Sequence, residues 1–487
     1  MPAPAPWIGA TVRASGGPLV WLTALAMAVA VYLVAIASGR GDLLVAGGLA
    51  LAVPLLFAIR LEAGVLLIVI ARPTLDIFAD RSFASVGGLQ LNPASALALL
   101  VIAIGVPYMI ERAGDLRRAP GIYPYLAFAA IAAIGIPVAP VFGSAATEWF
   151  RLTSILVIYA LAYLSATNRA AVGRLLAAIL LSALLPVAVG LVQLERGGTR
   201  QIGDYHRLTG TFLHPDPYGI YLSLIVVAAA AVALGSRSGW RWLAALAFFA
   251  SGVALIGSYT RTGWVMVGIG LLALGLVRYR WLLLAVPLAA VLALTAIPAT
   301  SGRFNDISNP TVQATTRRPG NSFNSRIQLW RDNLPYARQK PITGQGLNFI
   351  VERTSNNAHV HSDYVRALVE TGMFGFVAYI VLLLTALGGS VWAMMKTRRV
   401  QSRLLRVAAL VGVATSVCYI LASGDSNLMT QVAVSGTAWA LFACAHAAGR
   451  VASDLAEPRP LSGLEQRRMS LRARTGIRSP QPPANPV

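Results

Sequence analysis

The segment NNAHVHSDYVRALVETGMFGF, residues 356–376, sets two histidines, an arginine and two acids against an apolar run of membrane-spanning quality. Ser362 and Asp363 suit the N-cap and first turn of a helix. Val365, Leu368, Val369, Met373 and Phe376 then recur at helical spacing. An imidazole at the positive end of a helix is held neutral by that field and can accept a proton, so His361 is a candidate general base for a hydroxyl. The same ring would also serve as a plain loop cap. Gly372 and Gly375 leave room for another helix to approach closely. His359 suggests half of a metal pair, but metal sites need more ligands. His206, His214 and Asp363 lie on separate elements, so neither a metal nor another cofactor is expected.

The cations around this segment have a common chemistry. Between residues 299 and 363 the chain carries Arg303, Arg317, Arg318, Arg326, Arg331, Arg338, Lys340 and Arg353, against Asp306, Asp332, Glu352 and Asp363. Arg200, Arg207 and Arg261 belong to the same membrane face. Long external loops are partly exempt from charge asymmetry, so a solvated loop accounts for any single arginine. The set together suits an anionic headgroup, because guanidinium grips phosphate oxygens through a bidentate fork. Arg261, in GSYTRTGW, interrupts two apolar runs, where an arginine is costly unless paired, functional or snorkelling beside Trp264. HPDPYG offers His214 and Asp216 as glycan or acceptor ligands, although Pro215 and Pro217 equally suit a turn that starts a span.

The elements that hold these residues follow from composition. Of 487 residues 56% are hydrophobic and only 12% charged, against about 25% in soluble domains. Apolar runs long enough to cross a bilayer as helices recur near 18–38, 43–59, 61–71, 93–110, 122–142, 148–165, 175–193, 216–234, 240–257, 262–277, 281–298, 364–395, 404–422 and 430–449. They do not alternate in polarity, which excludes a barrel. The expected fold is an all-α integral membrane protein of 12–14 transmembrane helices, the third being short enough to be re-entrant. The parts are a cytoplasmic N-terminal segment (1–17), a helical bundle (18–298), an external loop (299–363), C-terminal spans (364–449) and a disordered cytoplasmic tail (450–487). The first span lacks a charged leader region and is too long for a cleavable signal.

Net charge is +21, with only Lys340 and Lys396 as lysines. Much of it sits in alternate short loops: Arg60; Arg112, Arg117 and Arg118; Arg169 and Arg174; Arg237 and Arg241; Arg278 and Arg280; and 396–406. Positive-inside topology explains that without nucleic acid and puts both termini in the cytoplasm. Cys418 and Cys444 lie in apolar runs, so no disulfide framework follows. His446, among alanines, reads as a packed helix residue.

At His361, Ser362, nine residues, Gly372, two residues and Gly375, the chain resembles the O-antigen ligase/polymerase superfamily of bacterial envelope glycan enzymes. Arg326 fits the arginine of that family's upstream motif, while Trp330 stands where its ligase branch has leucine. GTFLHPDPYGIYL (210–222) and SYTRTGW are also similar to family segments. The resemblance, over roughly 60–450, implies a GT-C-like helical fold and a metal-independent, inverting transfer. The implied donor is an undecaprenyl-diphosphate-linked glycan, and the acceptor a glycan or glycolipid hydroxyl such as lipid A-core. It implies His361 as the base and Arg326 on the departing diphosphate, with Arg261, Arg207 and Arg331 as further donor ligands. His214, Asp216 and His359 would bind acceptor or glycan. The implied place is the cytoplasmic (inner) membrane with the site facing the periplasm or cell exterior, among membrane lipids and other polysaccharide-assembly proteins.

A transporter of an anionic precursor is the competing class. It calls for ionisable residues at mid-span and broken helices there, whereas the polar residues here gather at one face. Peptidoglycan polymerases share a similar helical body, but their acidic signature is missing.

Overall fold

In hydrocarbon every N–H and C=O must be paired within its own segment, so non-alternating runs of Ala, Leu, Val and Ile become helices. The computed structural model describes residues 41–456 apart from 83, 87–88, 198–199, 203–204, 238, 297–321 and 354–358, without side chains for 42–43, 84–86, 89–91, 202, 205 and 322–325. The expected N-terminal segment and first span, the tail beyond 456, and Arg303, Asp306, Arg317 and Arg318 lie outside the described residues.

The chain runs through α1 (Gly41–Ile59), α2 (Leu61–Ala71), a 3-10 turn (Leu75–Phe78), a hairpin of β1 (Ala84–Val86) and β2 (Leu89–Leu91), α3 (Pro93–Glu111), a single turn (Ala113–Leu116), α4 (Ile122–Ile134) and α5 (Phe142–Ser165). It continues through α6 (Arg169–Leu181), α7 (Leu184–Glu195), a second hairpin of β3 (Arg200–Ile202) and β4 (Tyr205–Arg207), α8 (Pro215–Gly235), α9 (Trp240–Gly257), α10 (Arg261–Val277) and α11 (Leu282–Ala296). It ends in α12 (Ser322–Gln339), α13 (Phe349–Arg353), α14 (Asp363–Thr397), α15 (Arg403–Ala422) and α16 (Val432–Ala456). Both hairpins are antiparallel.

Among the described residues eight helices are long and apolar enough to cross a bilayer, with α6 and α7 counted together, and α1, α2, α4, α10 and α11 are shorter apolar helices. The chain is an all-α multi-pass membrane protein. The expected 175–193 span breaks at Ser182 and Ala183, because Pro186 has no N–H to give the Ser182 carbonyl. Helix α16 lies at the centre, its most apolar window wholly buried. Its Ala, Gly, Ser and Cys residues let α5, α14 and α15 pack closely around it.

Helix α14 corrects the expected uninterrupted span. Gly372 has φ 69° and ψ −171°, which ends a first helical piece and starts a second. The strip 341–346 docks against this break backbone to backbone. Met373 N donates to Pro341 O at 2.8 Å, Gln345 N to Val369 O at 2.9 Å, and Gly346 N to Glu370 O at 3.0 Å. A Cβ on Gly372 would lie 2.3 Å from Ile342 O. Gly372 therefore admits a strip of turn and loop, not a neighbouring helix. At Gly375 the nearest atoms are Thr371 of the same break and Ile131 of α4.

The arginine-bearing loops follow α1, α3, α5, α8, α10 and α14, and His361 and Ser362 precede α14. Chain order thus puts the arginine loops and the titratable segment at opposite ends of the bundle.

Candidate active site

Three helix starts and one loop build the site. Ser362 caps α14, its side chain accepting from Val365 N, and Asp363 follows in the first turn. His361 stands just before the cap with φ 50°, a left-handed conformation that a non-glycine residue holds only at a cost of about 1–3 kcal/mol. The strip carrying it is fixed from α12, where Trp330 Nε1 donates to Val360 O at 2.9 Å. Val360 joins Ile350 and Val369 in a small buried cluster that Trp330 also touches. Arg326 lies one helical turn before Trp330, so both side chains emerge on one face of α12. Trp330 holds the histidine strip while Arg326 reaches the site.

Arg326 forms an ion pair with Asp425, from the loop between α15 and α16, and Thr262 of α10 donates to the other oxygen of the same carboxylate. Asp425 engages one guanidinium edge through Nη1, and among the described residues the remaining N–H groups of Arg326 bond nothing. Burial, and after it the nearby Arg326 charge, pushes the His361 imidazole down to about 4. The ring is therefore neutral at pH 7. Burial and a cation produce this state, where the helix field was the expected cause. Asp216, Asp425 and His359 also lie within electrostatic range of His361.

The 423–431 loop, SGDSNLMTQ, ties these parts together. Asp363 is fully buried, and its carboxylate accepts from Leu428 N and Met429 N at 3.1 Å and from Tyr379 Oη at 2.9 Å. Asp363 N returns to Ser423 O at 2.8 Å. Arg366 is 2% exposed; it donates to Glu370 at 2.9 Å, to Thr430 at 2.7 Å and to Glu148 of α5 at 3.2 Å. A buried arginine with two carboxylates and a hydroxyl has its charge and donors satisfied. It locks the first piece of α14 against α5 and the loop.

The start of α8 meets the same region. His214 is its N-cap, with Nδ1 accepting from Asp216 N at 3.2 Å, and Pro215 occupies the first helical position. Burial lowers the pKa of His214. Arg207 is 4% exposed; it donates to Asp216 at 2.6 Å, to Ser258 O at 2.8 Å and to Thr260 Oγ1 at 3.0 Å. That pattern stitches the start of α8 to the α9–α10 turn, where Tyr259 also has φ 51°.

The structure thus brings His361, Arg326, Asp216, Arg207 and His214 to one end of the bundle. Arg261 is half-buried at the first position of α10, next to Thr262. Arg331 is exposed on α12 and lies about 140° around the helix from Arg326. His359 is exposed and has Arg366, Glu148 and Arg151 within electrostatic range, so the two histidines face different clusters. Asp425, Thr262, Glu148, Arg366 and Glu370 were not singled out from sequence. The signal for Asp425 was an acid in a short polar stretch between two apolar runs; Arg366 and Glu370 stood four apart on one helix face.

Fold and site define a multi-pass helical membrane protein with a neutral histidine beside a half-buried arginine at one end of its spans. Residues 246–380 match the family model described as O-antigen ligase, and the match supports the O-antigen ligase/polymerase superfamily. The matched stretch holds Arg261, Arg326, Arg331, His359, His361, Gly372 and Gly375; Arg207, His214, Asp216 and Asp425 fall outside it. No curated protein matches the chain. The family implies a membrane glycosyltransferase-like function on lipid-linked glycans.

Proposed function

We propose that the protein transfers a glycan from undecaprenyl diphosphate to a sugar hydroxyl at the outer face of the cytoplasmic membrane. The observation that carries this reading is the half-buried, uncharged His361 beside the Asp425-anchored Arg326. His361 takes the proton of the acceptor hydroxyl as its oxygen attacks the anomeric carbon. The bond from that carbon to the diphosphate breaks on the opposite face, inverting the configuration, and the diphosphate leaves as an anion held by Arg326. Arg261 lies where it could add a second cation, while Arg207 acts through Asp216 and the α9–α10 turn as a positioning residue. A bound diphosphate also offsets the cation that depresses His361, so donor binding strengthens the base.

No step requires a metal, and transfer should survive chelation. The experiment is a gel of envelope glycans from a strain lacking the protein. Loss of long chains, with short repeats still on their final acceptor, identifies a polymerase; full-length chains stranded on the carrier lipid identify a ligase. An unchanged glycan profile would overturn the proposal.

A further inference from the structure

At the opposite end of the bundle, the last turns of α1, α3, α5 and α16, the turn after α3, the first turn of α2 and the residues just before α6 line an open pocket of about 570 Å³. The geometry points to a binding site for the phosphodiester headgroup of a membrane phospholipid, separate from the glycan-transfer site. Arg60, Arg112, Arg118 and Arg450 line it. The carboxylates that face them are Glu62, Asp115 and Asp454. Glu62 is further neutralised by Arg174, which donates to it from Nε and, at 2.9 Å, from Nη2. Five guanidinia therefore oppose three carboxylates, an excess of two positive charges, of which a phosphodiester would neutralise one and leave the site still cationic.

The arginines differ in how far they are already engaged. Arg450 is committed to the end of α5, donating to Tyr163 O at 2.9 Å and Ala166 O at 3.1 Å with its guanidinium over the Tyr163 ring. Arg60 is tied to Glu62 at 2.8 Å. Arg112 reaches Asp115 only at 3.7 Å and its side chain also hydrogen-bonds Tyr108, while its buried Nε has no hydrogen-bond partner among the described residues. Positive-inside topology accounts for arginines in these loops; it does not account for their convergence on a concavity with a guanidinium nitrogen left unmatched. The surface below the mouth is apolar: Ile59 is 70% and Ile110 72% exposed. A soluble phosphate makes no use of that surface, whereas lipid chains lie along it.

The test uses the full chain in detergent and native mass spectrometry against phosphatidylglycerol and a phosphate-free glucosyl diacylglycerol. The wild type should retain the first and not the second, and millimolar inorganic phosphate should not displace it. Each arginine near an anionic lipid contributes about fivefold in affinity, so Arg112→Gln with Arg118→Gln should lower retention about 25-fold at unchanged Tm. Arg237→Gln with Arg241→Gln, at the α8–α9 connection and the first turn of α9 on the same face, should leave it unchanged. Equal loss in both pairs, equal retention of the phosphate-free lipid, or displacement by free phosphate would overturn the assignment.

Discussion

The charge state of His361 is set by its surroundings, and that makes it measurable. Burial and Arg326 depress its pKa to about 4, so the ring gains a proton only as pH falls toward that value. Removing the cation relieves part of the depression, and Arg326→Gln should move the midpoint upward. Diethyl pyrocarbonate acylates neutral imidazole. Its pH profile at His361, resolved from His359 by fragment masses, should show a midpoint near 4 in the wild type and a higher one in the variant. An unshifted midpoint would break the link between the two residues. Asp425 acts one step further out, by aiming Arg326. Asp425→Asn should cost roughly a hundredfold in kcat/KM, the usual scale for a misplaced group. The double variant with Arg326→Gln should be no worse than Arg326→Gln alone. Additive losses would show that Asp425 acts by another route.

At the scale of elements, the nine residues between Ser362 and Gly372 acquire a physical meaning. They are the length of a short helix that carries the base at its start and stops where the 341–346 strip crosses. Gly372→Ala puts a Cβ 2.3 Å from Ile342 O at φ 69°, and should cost about 3 kcal/mol. Thermal unfolding in detergent checks this; a Tm within a degree of wild type would mean the strip yields easily. The helices were legible because composition dictates them: the apolar runs at 93–110, 240–257 and 404–422 are α3, α9 and α15 almost residue for residue. The break at Gly372 was hidden. A glycine in an apolar run reads alike whether it packs a helix or ends one, and only the chain lying across it decides. The 423–431 loop was hidden for a similar reason, since its use of Asp363, Arg366 and Arg326 joins residues 60–100 positions apart.

For the whole molecule, the main prediction is sidedness. His361, Arg326 and Asp216 lie at the end of the helices opposite Arg60, Arg112 and Arg118, and loop charge predicts that the latter face the cytoplasm. The two native cysteines are buried, so single cysteines report cleanly. Arg331→Cys should react with a membrane-impermeant maleimide in intact spheroplasts, and Arg118→Cys only after permeabilisation. The reverse pattern would put the site on the cytoplasmic side, where the proposed chemistry has no external acceptor.

The central claim is proton transfer by His361, and the direct measurement is transfer by purified His361→Ala with a polyprenyl-diphosphate glycan and its acceptor. A positioned base contributes about 10²–10⁴-fold. The rate should fall by that much while donor affinity and Tm stay near wild type. A variant that transfers glycan at the wild-type rate would contradict the account.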